Sequence, residues 1–333
     1  MNATSDMLRL IVGFRVSQAV HVAAELRLAD HLAAGPLNVS TLAERVGADP
    51  DALRRLLRAL SATGVFVEQP DDVFATNELG ATLESQHPAR LRAISSNTSS
   101  TYFWDAWGRL EHSVRTGENA FYSLHGMNVW EYRSQHPEAA ERFDAAMVAM
   151  TLAVARGLAE SYDFAAVRTL VDVGGGHGGL LAAVLDAHPA IQGVLYDLPH
   201  VVATAPAELA ARGLGDRVRL EAGSFFEQVP ADGDCYLLKS VLHDWEDDDC
   251  VRILSACAAA MRSDAVLLVV ERLLDGPNEG ADTKFSDLNM MVLPGGRERS
   301  ADEFGALAAA AGMSVTRIVP TSTAFHALEL VVT

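Results

Sequence analysis

The sequence predicts an α/β protein with a doubly wound sheet in its second half and a mainly helical domain before it. At 333 residues the chain is long for one hydrophobic core, so two domains are expected. From Thr169 onward, β-rich runs alternate with helical patterns, which is typical of a parallel sheet covered by helices on both faces. We place an N-terminal domain at residues 1–100, connecting helices at 101–165 and the sheet domain at 166–333.

The composition is that of a globular protein with a strongly acidic surface. Hydrophobic residues make up 49% of the chain and charged residues 21%, which is far from a disordered composition. The basic and acidic residues give a net charge of 26 − 44 = −18, which repels nucleic-acid phosphates and anionic lipids. No segment approaches the roughly 18–20 apolar residues of a membrane span. We therefore expect neither a nucleic-acid nor a membrane partner.

The three cysteines, Cys235, Cys250 and Cys257, indicate the redox compartment. None forms a CxxC pair, and an odd number without a secretory leader indicates free thiols in a reducing compartment. Arg9 and Arg15 interrupt the first apolar stretch, which argues against a signal peptide. The sequence thus predicts a cytoplasmic protein.

The N-terminal region begins with an amphipathic helix, because the apolar residues within 8–23 recur at helical spacing. Residues 37–80 then have the pattern of a short helix, a turn, a longer helix and a β-hairpin. Gly47 ends the first of these helices, Asp49 with Pro50 begins the second, and Gly64 ends that one. This pattern is winged-helix-like.

The remaining segments complete the fold prediction. Residues 86–165 carry helical segments rich in aromatic residues and methionine, without a Gly/Ser/Pro linker, so a packed helical joint is expected. The strand-like runs of the sheet domain are TLVDV, GVLYDL, RVRLEAG, DCYLLKS and AVLLVVE. The chain ends in SVTRIVPTSTAFHALELVVT, a strand pair whose short turn permits an antiparallel edge. We predict a Rossmann-like doubly wound sheet with a C-terminal antiparallel strand pair.

The segment LVDVGGGHGG predicts a nucleotide site, since a buried strand, a glycine-rich turn and a helix follow one another. Gly174, Gly176 and Gly179 read as GxGxxG, a spacing that also suits a dinucleotide. Asp172 favours a cationic ligand such as the ammonium of a methionine moiety, which a pyrophosphate-binding loop does not need. Asp197 ends the next strand, where an acid can accept hydrogen bonds from ribose hydroxyls, and it fits both interpretations.

A catalytic histidine is predicted at the same edge of the sheet. His243 follows the fourth strand of this domain, and ligands of open α/β sheets bind at the carboxyl ends of strands. A lone histidine after a strand is more often a loop or core residue. Here Glu271 ends the fifth strand and Glu298 lies in PGGRERS, and carboxylates beside a histidine orient its ring and stabilise its charged form. The acidic run from Glu246 to Asp249 suits a helix N-terminus, so we assign no metal.

In this order, VDVGGGHGG, YDLPHVV, EAGSFF, LLKSVLHDWED, VVERLL and PGGRERSADEF resemble the plant caffeate-type O-methyltransferases. They are similar also to bacterial enzymes that methylate polyketide, naphthoate, phenazine and other natural-product phenols in antibiotic biosynthesis. The resemblance covers nearly the whole chain. It implies that S-adenosylmethionine donates a methyl group to a hydroxyl of a small aromatic acceptor, leaving S-adenosylhomocysteine. It also implies a homodimer, with the N-terminal helices interlocking two subunits and closing each other's pocket.

The resemblance also implies residue roles. His243 matches the general base, with Glu271 and Glu298 as the flanking acids. Met147 and Met290 match methionines that sandwich the acceptor ring, although methionines at helical spacing are usually core residues. The residues predicted to bind or border the cofactor, from the motif and the resemblance together, are Asp172, Gly174, Gly176, Asp197, Gly223, Ser224, Phe225, Lys239 and Ser240.

Two departures and three alternatives remain at this point. An acid commonly follows Gly223 in the family, whereas Ser224 stands here, and the segment TYFWDAWGRLEHS matches no particular acceptor subgroup. Some relatives methylate nitrogen on the same scaffold. A DNA-binding regulator would use the helix-turn-helix-like segment with Arg54, Arg55 and Arg58 as phosphate contacts. An NAD-dependent oxidoreductase would explain GxGxxG but neither HDW nor PGGRER.

Overall fold

The computed structural model describes residues 2–203, 205, 209–210 and 212–333. They form two compact units, one made of Met1–Asp105 and Arg133–Met150, the other of Ala106–Tyr132 and Thr151–Thr333. The domain boundaries predicted at residues 100 and 165 stay predictions.

The N-terminal part of the first unit has the predicted winged-helix-like pattern. Gly47 ends one helix at a φ of 67°, and the Asp49 side chain caps the next by accepting from the N–H of Ala52 at 2.8 Å. Its strands β1 Leu37–Asn38, β2 Phe66–Gln69 and β3 Val73–Thr76 form an antiparallel sheet in the order β1-β3-β2. The helices are Ala3–Ile11, Phe14–Glu25, Leu28–Leu32, Val39–Val46, Pro50–Ala62, Glu78–Ala81 and Leu91–Thr98.

The first helices of the chain expose apolar side chains. More than half of the surface of Leu8, Leu10, Ile11 and Phe14 is exposed. In the part of the chain that the structure describes, no single helix is long and apolar enough to cross a bilayer. The bent pair Ala3–Ile11 and Phe14–Glu25 passes that test only when its two helices are counted together.

The second unit contains the predicted doubly wound sheet. Its strand order is β6-β5-β4-β7-β8-β10-β9, with β4 to β8 parallel and β9 and β10 antiparallel at one edge. These strands are β4 Thr169–Val173, β5 Gln192–Asp197, β6 Val218–Ala222, β7 Cys235–Lys239, β8 Val266–Arg272, β9 Met313–Pro320 and β10 Phe325–Val332. The fold class predicted from the sequence is therefore confirmed.

Helices cover both faces of this sheet. Consecutive residues of β4, Leu170 and Val171, belong to two separate apolar clusters on opposite faces, and Leu237 and Leu238 on β7 divide in the same way. This is why the central strands read as continuous apolar runs. The helices from residue 101 onward are Thr101–Trp107, Leu110–Thr116, Ala120–His125, Val129–Gln135, Pro137–Ser161, Gly179–Ala187, Pro199–Val202, Asp247–Ala260, Ala281–Val292 and Ala301–Ala310.

The strand order positions the site. The chain runs outward from β4 to β5 and β6 on one side, and then to β7 and β8 on the other. In open α/β sheets, ligands bind outside the carboxyl ends of the strands, at the point where the strand order reverses. Asp197, Lys239 and Glu271 lie at or next to such ends, so the topology brings the sequence-predicted residues to one edge.

Candidate active site

The glycine turn after β4 has a backbone that suits close approach of a ligand. Gly174 and Gly176 have φ values of +69° and +60°, a region that glycine adopts without strain. The N–H of Gly174 donates to the carbonyl of Tyr196 at 2.8 Å, which ties the turn to β5. The helix Gly179–Ala187 begins directly after the turn and directs its first N–H groups toward it.

Asp172 lies beneath this turn and is 1% exposed. A Cβ at Gly175 would come within 2.6 Å of its carboxyl carbon, so only glycine fits over it. Burial, then the charge of Asp197, raises the pKa of Asp172 to about 7. Its Oδ2 atom has no hydrogen-bond partner among the described residues. An orphaned carboxylate oxygen under an open glycine turn fits a cationic or hydrogen-bond-donating ligand.

Asp197 ends β5 with both carboxylate oxygens held by main-chain donors. The N–H of Gly176 donates to Oδ2 at 2.8 Å, and the N–H of Leu198 donates to Oδ1 at 2.6 Å. Each oxygen keeps a second lone pair for a further donor. The arrangement fits a ligand with adjacent hydroxyl groups, as a ribose has.

The segment after β6 supplies an aromatic wall. A Cβ on Gly223 would clash with the hydroxyl of Tyr196, so the chain needs glycine there. The Oγ of Ser224 accepts from the N–H of Phe226 at 3.3 Å, which leaves its own proton free to donate. The ring of Phe225 lies edge-on to Trp245 at 6.1 Å and close to Gly174. A flat ring fits such a wall.

Lys239 and Ser240 form the end of β7. Lys239 Nζ donates to Thr151 Oγ1 at 3.2 Å. Burial lowers the pKa of Lys239, against the opposing charges of Glu271 and Asp172. Ser240 has a φ of +54°, a left-handed conformation that costs energy in a residue with a side chain. This bend redirects the chain as it leaves the strand and enters the turn that carries His243.

His243 lies in the short helical turn Leu242–Asp244, against Glu271 on β8. Its Nδ1 is 3.0 Å from Glu271 Oε2, the distance of an ion pair. The other oxygen, Oε1, accepts from the N–H groups of Val241 and Leu242 at 3.0 Å each. Glu271 is 0% exposed, so one buried carboxylate holds the turn by hydrogen bonds and lies at ion-pair distance from the ring.

Two further carboxylates surround the imidazole. Glu298 Oε2 lies 3.8 Å from Nδ1, and Asp244 Oδ1 lies 3.6 Å from Nε2. Ser286 Oγ donates to Glu298 at 2.7 Å, and burial raises the pKa of Glu298. Burial alone would lower the pKa of His243, but the charges of Glu271, Asp244 and Glu298 outweigh it and raise that pKa to about 10. The surrounding acids thus favour the charged form of the imidazole.

The same cluster has the spacing of a metal site. Ligand atoms of His243, Glu271 and Glu298 lie within 4.8 Å of one another. The acidic run lies at a helix start, as expected: Glu246 occupies the N-cap position of the helix Asp247–Ala260 without a side-chain capping bond. The following acids occupy its first turn, where they complement the helix dipole. The absence of a metal stays a prediction.

The two methionines predicted to hold the acceptor lie on different units. Met290 is on the helix Ala281–Val292 and is 8% exposed. Met147 is on Pro137–Ser161, in the part of that helix that belongs to the first unit. Their roles, like those of the predicted cofactor residues, stay predictions.

Arg299 was not singled out from the sequence, although it is among the largest fully buried side chains described. Its guanidinium binds main-chain carbonyls around His243, a contact that has no sequence signal of its own. Asp244 was likewise not named, and its position directly after His243 was the available clue.

Comparison with known proteins identifies the family. Residues 107–314 match the O-methyltransferase domain, and residues 8–85 match the O-methyltransferase dimerisation domain. The chain is 43% identical over 312 residues to the mitomycin biosynthesis 6-O-methyltransferase of Streptomyces lavendulae, covering 93% of this chain and 89% of that one. It is 39% identical over 326 residues to a phenazine O-methyltransferase of Lysobacter antibioticus, covering 98% and 95%.

A solved structure agrees in fold as well as sequence. An O-methyltransferase from neocarzinostatin biosynthesis, in complex with S-adenosylmethionine and 2-hydroxy-5-methyl naphthoic acid, matches with a TM-score of 0.82 and 36% identity over 98% of each chain. The chain therefore belongs to the O-methyltransferase family.

Proposed function

We propose that this O-methyltransferase transfers the methyl group of S-adenosylmethionine to a hydroxyl of a small aromatic molecule, with His243 as general base. The observation that carries the proposal is the 3.0 Å contact between His243 Nδ1 and the buried carboxylate of Glu271. A histidine held on one nitrogen by a fixed acid presents its other nitrogen, Nε2, to a substrate. The family and the cofactor-bound relative support the choice of methyl donor.

The residues at the strand ends fit this cofactor. Asp197 offers its remaining lone pairs to the ribose hydroxyls, and the aromatic wall at Phe225 suits the adenine ring. The orphaned Oδ2 of Asp172 and the open glycine turn suit the methionine moiety, which carries an ammonium group. S-adenosylmethionine supplies an electrophilic methyl group on a positively charged sulfur. S-adenosylhomocysteine is the product.

The chain contributes proton transfer and alignment. A phenol with a pKa of about 10 is mostly protonated at neutral pH, so its oxygen is a weak nucleophile. Transfer of its proton to Nε2 of His243 leaves the oxygen lone pair to form the new bond to the methyl carbon, as the carbon–sulfur bond breaks and its electron pair stays on sulfur. Glu271, Glu298 and Asp244 stabilise the imidazolium that results. His243 must first be neutral, and a positive charge beside it lowers its pKa.

The acceptor class comes from the relatives. Their names specify a mitomycin, a phenazine and a naphthoic acid, which are ring systems from natural-product biosynthesis. We infer an acceptor of similar size that carries an aromatic hydroxyl. The dimerisation domain supports a homodimer. A cytoplasmic location, and the lack of nucleic-acid and membrane partners, remain part of this proposal on the basis of charge and composition.

The DNA-binding alternative is disfavoured by the ion pairs of its candidate contacts. Arg54 pairs with Asp51 at 2.9 Å and with Asp72 at 3.1 Å. Arg58 pairs with Glu68 at 2.7 Å and also with Asp72. Side chains engaged with carboxylates are poor phosphate contacts.

Methyl transfer to a nitrogen atom remains the second candidate function. It ranks below transfer to oxygen because the base His243 would serve an aromatic amine less well than a hydroxyl.

A mass-spectrometric screen tests the proposal. The full-length protein is incubated with S-adenosylmethionine and a panel of phenolic acids, hydroxynaphthoic acids, hydroxyquinones, hydroxyphenazines and matched aromatic amines. We expect a mass gain of one methyl group on a hydroxylated member, with an equal amount of S-adenosylhomocysteine. Methylation of the amines alone would contradict O-methylation.

A further inference from the structure

Arg299 is a charged side chain enclosed in the protein interior at 1% exposure. Arginine is seldom fully buried without partners that satisfy its donors. It ends the segment Gly295–Arg299 and pairs with Leu273, directly after β8. There the N–H of Leu274 donates to the Arg299 carbonyl at 3.0 Å. The backbone of Arg299 is therefore fixed independently of its side chain.

The guanidinium reaches the turn that carries His243 and binds it on both sides. Nη1 donates to the carbonyl of Leu242 at 3.0 Å, and Nη2 donates to the carbonyl of Trp245 at 2.8 Å. Nε and Nη2 also donate to Asp247 Oδ1 at 3.0 and 2.7 Å. Only the planar, five-donor fork of arginine can make this set of bonds at once.

The neighbouring residues hold the same turn. Glu298 directs its carboxylate to the imidazole, whereas the next side chain, Arg299, binds the backbone. The N–H of Arg297 donates to the carbonyl of His243 at 2.9 Å. A Cβ at Gly296 would clash with that carbonyl, so the two segments are in direct backbone contact.

The peptide units before His243 are held from opposite directions. Glu271 accepts from the N–H groups of Val241 and Leu242, and Arg299 donates to the carbonyl of Leu242. We propose that Arg299 is a positioning residue, which fixes the turn so that the imidazole of His243 stays against Glu271. The inference rests on the proposed role of His243 as the base.

If Arg299 only stabilised the fold, its replacement would lower stability without changing the titration of the His243 imidazole. A matched control variant distinguishes this structural role from a positioning role. Arg217 also donates to three carbonyls, those of Leu185, His188 and Ile191, at 2.7–3.1 Å, but near the amino ends of the strands. Arg217→Lys and Arg299→Lys both keep the charge and remove the fork. Each variant is prepared with ¹⁵N-labelled histidine and saturated with S-adenosylhomocysteine.

The measured quantities are the melting temperature, the S-adenosylhomocysteine affinity and the His243 imidazole ¹⁵N shift against pH. We expect Arg299→Lys to lower the His243 pKa by about one unit or more, because the ring loses its fixed contact with Glu271. Methyl transfer to the best acceptor of the screen should fall about 10- to 100-fold, the usual effect of misplacing a catalytic group. Arg217→Lys should lower the melting temperature and leave the titration curve unchanged.

An Arg299→Lys titration curve identical to that of the wild type would overturn the proposal. If Arg299→Lys does not fold, Asp247→Ala is measured instead, since Asp247 is 61% exposed and holds the guanidinium from outside. It should shift the titration in the same direction by a smaller amount, and no shift would again overturn the proposal. A failure of the proposed general-base role would be recognised separately, because His243→Gln would then turn over at the wild-type rate.

Discussion

The main-chain N–H of Gly176 donates to Oδ2 of Asp197 at 2.8 Å, joining the glycine turn after β4 to the end of β5. The two residues are 21 positions apart in sequence. The parallel pairing of β4 with β5 brings them together. The bond gives the turn its shape and orients the carboxylate at the same time. A change at Asp197 should therefore disturb both halves of the proposed cofactor site.

Asp197→Ala should weaken binding of S-adenosylmethionine and S-adenosylhomocysteine by about 1–3 kcal/mol, because hydrogen bonds to a charged group are lost in a partly buried site. Isothermal titration calorimetry measures the effect. Asp216→Ala, an exposed acid before β6, is the control and should bind normally. NAD(H) should not bind the wild-type protein, and the reverse cofactor preference would disprove the assignment.

His243→Gln should lower kcat by about 10²–10⁴-fold, the usual contribution of general-base assistance. Glu271→Gln should lower it less, because the imidazole remains while its orientation and charge partner are weakened. Single-turnover methyl transfer measures both rates, and S-adenosylhomocysteine affinity should stay close to that of the wild type. Wild-type turnover by His243→Gln would mean that alignment alone carries the reaction.

The raised pKa of His243 links its charge to folding. The folded-state pKa is about 10, above the value of roughly 6.5 in an unfolded chain. The charged imidazole therefore stabilises the fold fully below pH 6.5, and this contribution is lost as the pH rises toward 10. Denaturant unfolding of the wild type and His243→Gln across this range tests it. The stability difference between them should shrink with rising pH, and a constant difference would exclude a raised pKa.

The sequence predicted the edge of the sheet at which the site lies, since apolar runs followed by polar residues mark strand ends. His243, Glu271 and Glu298 were brought together as expected. Arg299 was missed because its contacts with the turn are to main-chain carbonyls, which every residue has, and its side-chain partner Asp247 is 52 residues away in sequence. Asp172 is 1% exposed and lies under Gly175, a depth that no local pattern encodes, and its contact with a ligand stays a prediction.

A homodimer is expected in solution, with the exposed apolar side chains of the first helices at its interface. Light scattering should give about twice the 35.6 kDa of one chain. Leu8→Glu with Ile11→Glu should yield monomers, because two charges would be buried at the interface. Ile318→Glu, on the edge strand β9, should leave the dimer intact. A wild-type monomer at micromolar concentration would contradict this prediction.

Chelation should not reduce activity. Protein treated with EDTA and passed through a desalting column should transfer methyl groups at the untreated rate, since we assign proton transfer and not metal binding to His243, Glu271 and Glu298. Added Mg²⁺ or Zn²⁺ should not raise the rate. The ligand atoms of these three residues lie within 4.8 Å of one another. If chelation abolished activity and one of these ions restored it, the cluster would be a metal site instead.

The three cysteines provide a built-in reporter of local opening. All are buried, and burial raises the pKa of Cys250 to about 11 and that of Cys257 to about 12. A thiol reagent can therefore react only when the surrounding structure opens. Cys250 Sγ lies 3.1 Å from the carbonyl of Leu242, in the turn that carries His243, whereas Cys257 lies farther along the same helix. Faster labelling of Cys250 than of Cys257 would measure local opening of the turn that carries His243, without any introduced cysteine.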